Sequence, residues 1–173
     1  MRFVVLIGAS GSGKTTIASA LEQRYGDEVE VFHFDRIGVP SMDRMVTEYG
    51  SGEAWQRAKT FEWMAKLAQL CGSERGVLFE GQTRLSFLAE AAEAAGITTY
   101  FPILVDCDDE TRVRRLSRER QQPGLASEHL VTWANYLRRE AKERGCDILD
   151  TSGIGLDQCI DYVMAQLLGG SSR

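Results

Sequence analysis

The stretch that most restricts how this chain can fold is Gly8-Ala9-Ser10-Gly11-Ser12-Gly13-Lys14-Thr15-Thr16. It fits the phosphate-loop pattern of Gly, four residues, Gly, Lys, then Ser or Thr. Phe3-Val4-Val5-Leu6-Ile7 in front of it reads as a buried strand, and Ile17, Leu21 and Tyr25 behind it recur at helical spacing. The loop therefore joins strand to helix, which is the context the pattern requires. The residue types have a chemical reason. A polyphosphate concentrates negative charge, and backbone amides at a helix N-terminus reach it only where no side chains stand between, hence the glycines. Lys14 is placed to reach the outer phosphates, and the Thr15 hydroxyl to ligate Mg²⁺. A nucleotide is the expected ligand of residues 8–16; the alternative is a glycine-rich turn with an exposed lysine.

Further along, Val29 to Phe34 reads as a second strand ending at Asp35, a carboxylate expected to face the same crevice as the phosphate loop unless it only caps the next turn. Met42, Met45, Val46 and Tyr49 mark a helix, and Gly50-Ser51-Gly52 breaks it before a longer one, so residues 40–72 read as an inserted helical pair. Trp55, Lys59 and Trp63 share a face of the second helix, either lining a pocket or filling core. Val77-Leu78-Phe79 is a third strand that delivers Glu80 and Arg84. A helix through Leu85, Leu88, Ala92 and Ala95 follows, then a fourth strand over Tyr100 to Val105, where Pro102 warns of imperfect pairing.

Asp108 or Asp109 suits the N-cap of a helix carrying Arg112, Arg114, Arg115, Arg118 and Arg120. Five arginines in nine residues are a dense donor set, and some of them are expected to converge on a bound polyphosphate through bidentate, permanently charged contacts. Ser127 can cap a helix reaching about Arg144, on which Arg138 and Arg139 read as surface charges. Ile148-Leu149 forms a short fifth strand leading to Asp150-Thr151-Ser152-Gly153, and Ile160, Val163, Met164 and Leu167 mark a last amphipathic helix. Strands alternating with helices in this way imply one α/β domain, a parallel sheet covered on both faces.

Composition narrows the partners. A net charge of −5 over 173 residues gives no general attraction for nucleic acid or an acidic membrane surface. Cys71, Cys107, Cys146 and Cys159 are scattered with no CxxC pair, so neither a zinc site nor a disulfide framework is expected. No apolar run approaches a membrane span, and the first strand lacks the length and cleavage region of a signal peptide, which points to the cytoplasm.

With these elements placed, the chain resembles the nucleoside-monophosphate-kinase-like group of P-loop kinases, which includes adenylate, shikimate and gluconate kinases and chloramphenicol phosphotransferase. Glu80-Gly81-Gln82-Thr83-Arg84 is similar to the Asp-Gly-Phe-Pro-Arg segment of adenylate kinases, with Glu for Asp and Gln-Thr for Phe-Pro. The resemblance implies that Glu80 serves the Mg²⁺ shell and that Arg84 touches phosphate. It implies a short arginine-bearing lid over about residues 112–126, with Arg118 and Arg120 closing over the transferring group. It places Thr151 and Ser152 beside the adenine, and it implies a strand order of 2-3-1-4-5. Asp35 falls where small-molecule kinases of the group carry an aspartate that contacts the acceptor hydroxyl, and Arg36 and Arg84 lie where an acceptor phosphate or carboxylate would be met. The implied activity is ATP- and Mg²⁺-dependent phosphoryl transfer to a hydroxyl of a small molecule. The alternatives are a nucleotide kinase with a phosphate acceptor and a nucleotide-dependent switch. A guanine-reading Asn-Lys-x-Asp segment, which a GTPase switch needs, does not occur in the sequence.

Overall fold

The structure, a computed structural model, describes residues 2–70, 72–119 and 128–169. Five strands form one parallel sheet in the order β2-β3-β1-β4-β5. They are β1 (Phe3–Ile7), β2 (Val29–His33), β3 (Gly76–Gly81), β4 (Phe101–Asp106) and β5 (Asp147–Asp150). The helices are α1 (Lys14–Tyr25), α2 (Met42–Tyr49), α3 (Gly52–Ala68), α4 (Leu85–Ala94), α5 (Asp109–Arg114), α6 (Glu128–Arg144) and α7 (Leu156–Leu168).

β1 is apolar throughout because it is central and covered on both faces. Its alternate side chains feed two separate cores. Phe3, Val5 and Ile7 pack with α3, α4 and α6, whereas Val4 and Leu6 pack with α1 and α7. The inserted helices α2 and α3 belong to the first core through Met45, Trp55, Trp63, Met64 and Leu67. Trp55 and Trp63 are thus mainly packing residues, and the Trp63 indole donates to the Phe34 carbonyl at 3.1 Å.

Two strand ends differ from the sequence reading. β2 stops at His33, and Phe34–Ile37 forms a 3₁₀ turn that carries Asp35. The reason is Phe34, whose ring turns into the core edge-on to Trp55, with centroids 5.8 Å apart, and beside Phe79. β3 runs on to Gly81, so Glu80 lies inside the strand, in register with His33 of β2 and Leu6 of β1. Pro102 is accommodated within β4 because β5 pairs with β4 only from Ile103 onward.

Candidate active site

The phosphate loop leaves β1 at Gly8 and enters α1 at Lys14. A side chain at Gly8 would come within 2.4 Å of the Val105 carbonyl, and Gly11 and Gly13 take φ of +80° and +99°, where a Cβ is strained. The loop is braced from behind by arginines. Arg112, 1% exposed, donates to the Ser10 carbonyl at 3.0 Å and to Asp106 Oδ1 at 2.7 Å. Arg115 donates to the carbonyls of Gly11 (3.3 Å) and Ser12 (3.2 Å), and the buried Cys107 thiol, its pKa raised by desolvation, faces the Gly11 carbonyl. With the carbonyls of residues 10 to 12 committed to these donors, the loop is left to offer amides on its open side. α1 has no side-chain cap and no acidic residue in its first turn, so its positive end is not neutralised from within.

Asp106, at the end of β4, organises that brace. Its carboxylate accepts from Arg112 and also from Arg138 Nε of α6, and Arg138 donates further to the Cys107 carbonyl at 2.8 Å. Arg138 is therefore not a surface charge. Its contact with Asp106, 32 positions away, holds its pKa above the ordinary arginine value. Arg112, the first residue of the expected lid, is likewise buried under the phosphate loop and unavailable to a lid.

On the other side of the loop, Thr15 Oγ1 lies 3.3 Å from Glu80 Oε2. Glu80 is buried, and its second oxygen, Oε1, is 2.7 Å from Nδ1 of the buried His33. Ser10 Oγ reaches Gln82 at 3.3 Å, a second tie between the loop and the end of β3. Thr15 and Glu80 thus come together as hard oxygen donors at the mouth of the loop, a donor set that fits Mg²⁺. The described residues contain no group of three or more His, Cys, Asp or Glu that could hold a metal ion. An ion at Thr15 and Glu80 would accordingly depend on the nucleotide for further ligands.

The remaining expected residues are dispersed. Asp35 is exposed on its 3₁₀ turn. Arg36 is exposed and donates to Glu22 of α1 at 3.3–3.4 Å. Arg84 donates to Glu53 at 2.6 Å, and its guanidinium stands over the rings of Phe87, Trp133 and Tyr136 at 4.9–5.5 Å. Thr151 points inward. Its hydroxyl faces the carbonyls of Ser12 (2.8 Å) and Asp106 (3.0 Å) and accepts from Arg115. Ser152 Oγ accepts from the Asp108 amide and donates to Asp150. Asp108 is the N-cap of α5, and the Thr111 amide that it accepts holds its carboxyl below the usual range. Arg120 and the side chain of Arg118 lie outside the described residues.

Beside the loop, a cavity of about 320 Å³ is lined by Gly11, Gly13, Arg114, Arg115, Thr151 and Ile154, among others. Arg138, Asp106 and His33 are site residues that sequence reasoning missed, and Arg112 and Arg115, named only as donors for a polyphosphate, brace the loop carbonyls. Helical phase held a signal for these two: Arg112, Arg115 and Leu116 fall at i, i+3 and i+4 on one face, with Val113 and Arg114 on the other.

No helix among the described residues is long and apolar enough to cross a membrane. No curated protein matches the sequence. Among solved structures, a sugar kinase from a Janibacter species is 21% identical with a TM-score of 0.67, covering 99% of this chain and 96% of that one. Shikimate kinase from Acinetobacter baumannii is 15% identical with a TM-score of 0.65, covering 100% and 96%. A gluconokinase from Sinorhizobium meliloti is 17% identical with a TM-score of 0.62, covering 97% and 92%. These likenesses establish the fold as that of P-loop kinases, with the strand order 2-3-1-4-5. The family described as AAA domain matches residues 4–132, which takes in the phosphate loop, Glu80 and the bracing Arg112 and Arg115, and the chain belongs to that family.

Proposed function

We propose that this protein is a phosphotransferase that moves the γ-phosphoryl group of ATP, with Mg²⁺, to a hydroxyl of a small-molecule acceptor. The observation that carries this assignment is the approach of Thr15 Oγ1 to Glu80 Oε2, 3.3 Å apart, beside the uncapped N-terminus of α1. Two oxygen donors beside the uncapped N-terminus of α1 and Lys14 suit a metal-bound polyphosphate. The sugar, shikimate and gluconate kinases of the same fold support a small-molecule acceptor.

In this reading the loop amides and Lys14 hold the phosphates, and Thr15 and Glu80 hold the metal. Bound there, Mg²⁺ offsets charge on the β- and γ-phosphates. Asp35 orients the acceptor hydroxyl and takes its proton as the acceptor oxygen bonds to the γ-phosphorus and the bond to the β-phosphate oxygen breaks. The nucleobase occupies the cavity beside Gly13 and Arg115. Arg118 and Arg120 are assigned, on the resemblance, to offsetting charge on the transferring group. A hydroxyl acceptor is favoured over a phosphate acceptor because Arg36 and Arg84 are already paired, with Glu22 and Glu53. An ionised phosphate would also need no base.

A coupled assay of ATP consumption over sugars, nucleosides, nucleotides and hydroxy acids tests the assignment. The expected hit loses all measurable transfer in Lys14→Ala and about 10²–10⁴-fold in turnover in Asp35→Asn. Transfer at the parent rate by Lys14→Ala would overturn it. A hit on a nucleotide whose turnover Asp35→Asn leaves unchanged would replace the hydroxyl acceptor with a phosphate.

A further inference from the structure

We propose that His33 is a positioning residue for Glu80, fixing which carboxylate oxygen faces Thr15 and the metal. The inference rests on the phosphotransferase reading above, which places Mg²⁺ at Thr15 and Glu80. β2 and β3 pair in parallel with His33 directly opposite Glu80, so the two side chains rise from one face of the sheet. Both are almost fully buried, at 7% and 4% exposure. The division of the carboxylate is unequal. Oε1 is 2.7 Å from His33 Nδ1, whereas Oε2 is 3.3 Å from the Thr15 hydroxyl.

An ionised carboxylate only accepts, so the ring nitrogen at 2.7 Å is the donor. That bond is short, rigid and made by a side chain with two rotatable torsions, so it pins Glu80 against rotation about its last torsion. The Thr15 hydroxyl, with its proton directed at Oε2, keeps its lone pairs for a cation. On its far side His33 Nε2 lies 3.7 Å from Glu22 Oε2, beyond hydrogen-bond distance, so Glu80 is the side-chain partner that His33 bonds. The bonded path His33–Glu80–Thr15 runs from β2 through β3 to the mouth of the loop. A ligating carboxylate is commonly oriented by a partner of this kind, and loss of such a partner typically weakens metal affinity by about 10–100-fold.

The two ring nitrogens can be separated by substitution. His33→Asn keeps a donor near the position of Nδ1, and His33→Gln keeps one near Nε2 and withdraws it from Glu80. Calorimetric titration of ATP at graded Mg²⁺ reads the metal concentration that half-saturates the gain in ATP affinity, and titration in EDTA reads the loop alone. Expected are a half-saturating Mg²⁺ within about twofold of the parent for His33→Asn and raised about tenfold or more for His33→Gln, with ATP affinity in EDTA unchanged in both. Equal behaviour of the two variants, both unchanged or both weakened, would overturn the positioning role and leave His33 as packing. A parent protein whose ATP affinity does not respond to Mg²⁺ would instead overturn the phosphotransferase reading, and this inference with it.

Discussion

Glu140 shows how much a single buried group does here. It is 6% exposed, and its two oxygens accept the amides of Leu85 and Ser86, each at 2.8 Å, at a helix start that has no acidic residue of its own. A carboxylate from α6 thereby supplies what the first turn of α4 lacks. Glu140→Leu would leave both amides unpaired, that of Leu85 buried and that of Ser86 partly so, and a loss of about 2–4 kcal/mol in urea unfolding is expected; Glu140→Gln, which keeps an acceptor, should lose about half of that. Asp108 acts in the same way in an exposed setting. The Thr111 amide depresses its folded pKa, so its contribution is present above the ordinary carboxyl pKa and disappears as pH falls through the lower folded value. Unfolding curves of the parent and of Asp108→Ala should therefore differ near neutrality and converge in acid, below the depressed pKa of Asp108. A gap that persists unchanged into acid would assign the difference to something other than the ionised cap.

At the level of elements, the site depends on how closely β3 passes the 3₁₀ turn that carries Asp35. A Cβ at Gly81 would meet Phe34 Cβ at 2.6 Å, so Gly81→Ala forces the turn and strand apart at a cost of about 1–3 kcal/mol. In the proposed function ATP is held from β1 and α1, so the expected outcome is nearly unchanged ATP affinity by calorimetry with reduced acceptor turnover. Equal loss of both would mean that the turn does not serve the acceptor separately. The elements themselves were legible because β1, β3 and β4 carry short apolar runs and because a break at Gly50-Ser51-Gly52 separates α2 from α3. The phosphate loop was legible because its function is encoded in consecutive residues. Contacts between distant residues were not. Arg138 reaches Asp106 across 32 positions and His33 reaches Glu80 across 47, pairings that exist only after the sheet has its order and register. Nor did composition distinguish Arg112, which is buried, from Arg114, which is exposed: a charge run reads alike until the packing of α5 against the loop decides which side chains it buries.

For the molecule as a whole, the strand order decides where a ligand can be felt. β1 lies between β3 and β4, so the chain turns to opposite sides of it, and at that switch point the phosphate loop meets Glu80 of β3, through Thr15, and Thr151 after β5, through the Ser12 carbonyl. A nucleotide bound there contacts the joints of the fold, and its binding free energy becomes stability of the whole domain. The inserted helices α2 and α3 share the core of β1 and β3, so no subdomain is free to melt alone. One cooperative transition is expected, and MgATP at about 100 times its dissociation constant should add about 2.7 kcal/mol, a rise of roughly 5–10 °C in Tm for a chain of this size. Lys14→Ala, whose side chain contributes to the ligand site rather than to either core, should melt near the parent temperature without nucleotide and gain little from it. The measurement is a thermal melt with and without MgATP on both proteins. An equal rise in the variant would place the stabilising nucleotide somewhere other than the phosphate loop, and a parent that melts in two steps, only one of them shifted, would separate the insertion from the domain that binds it.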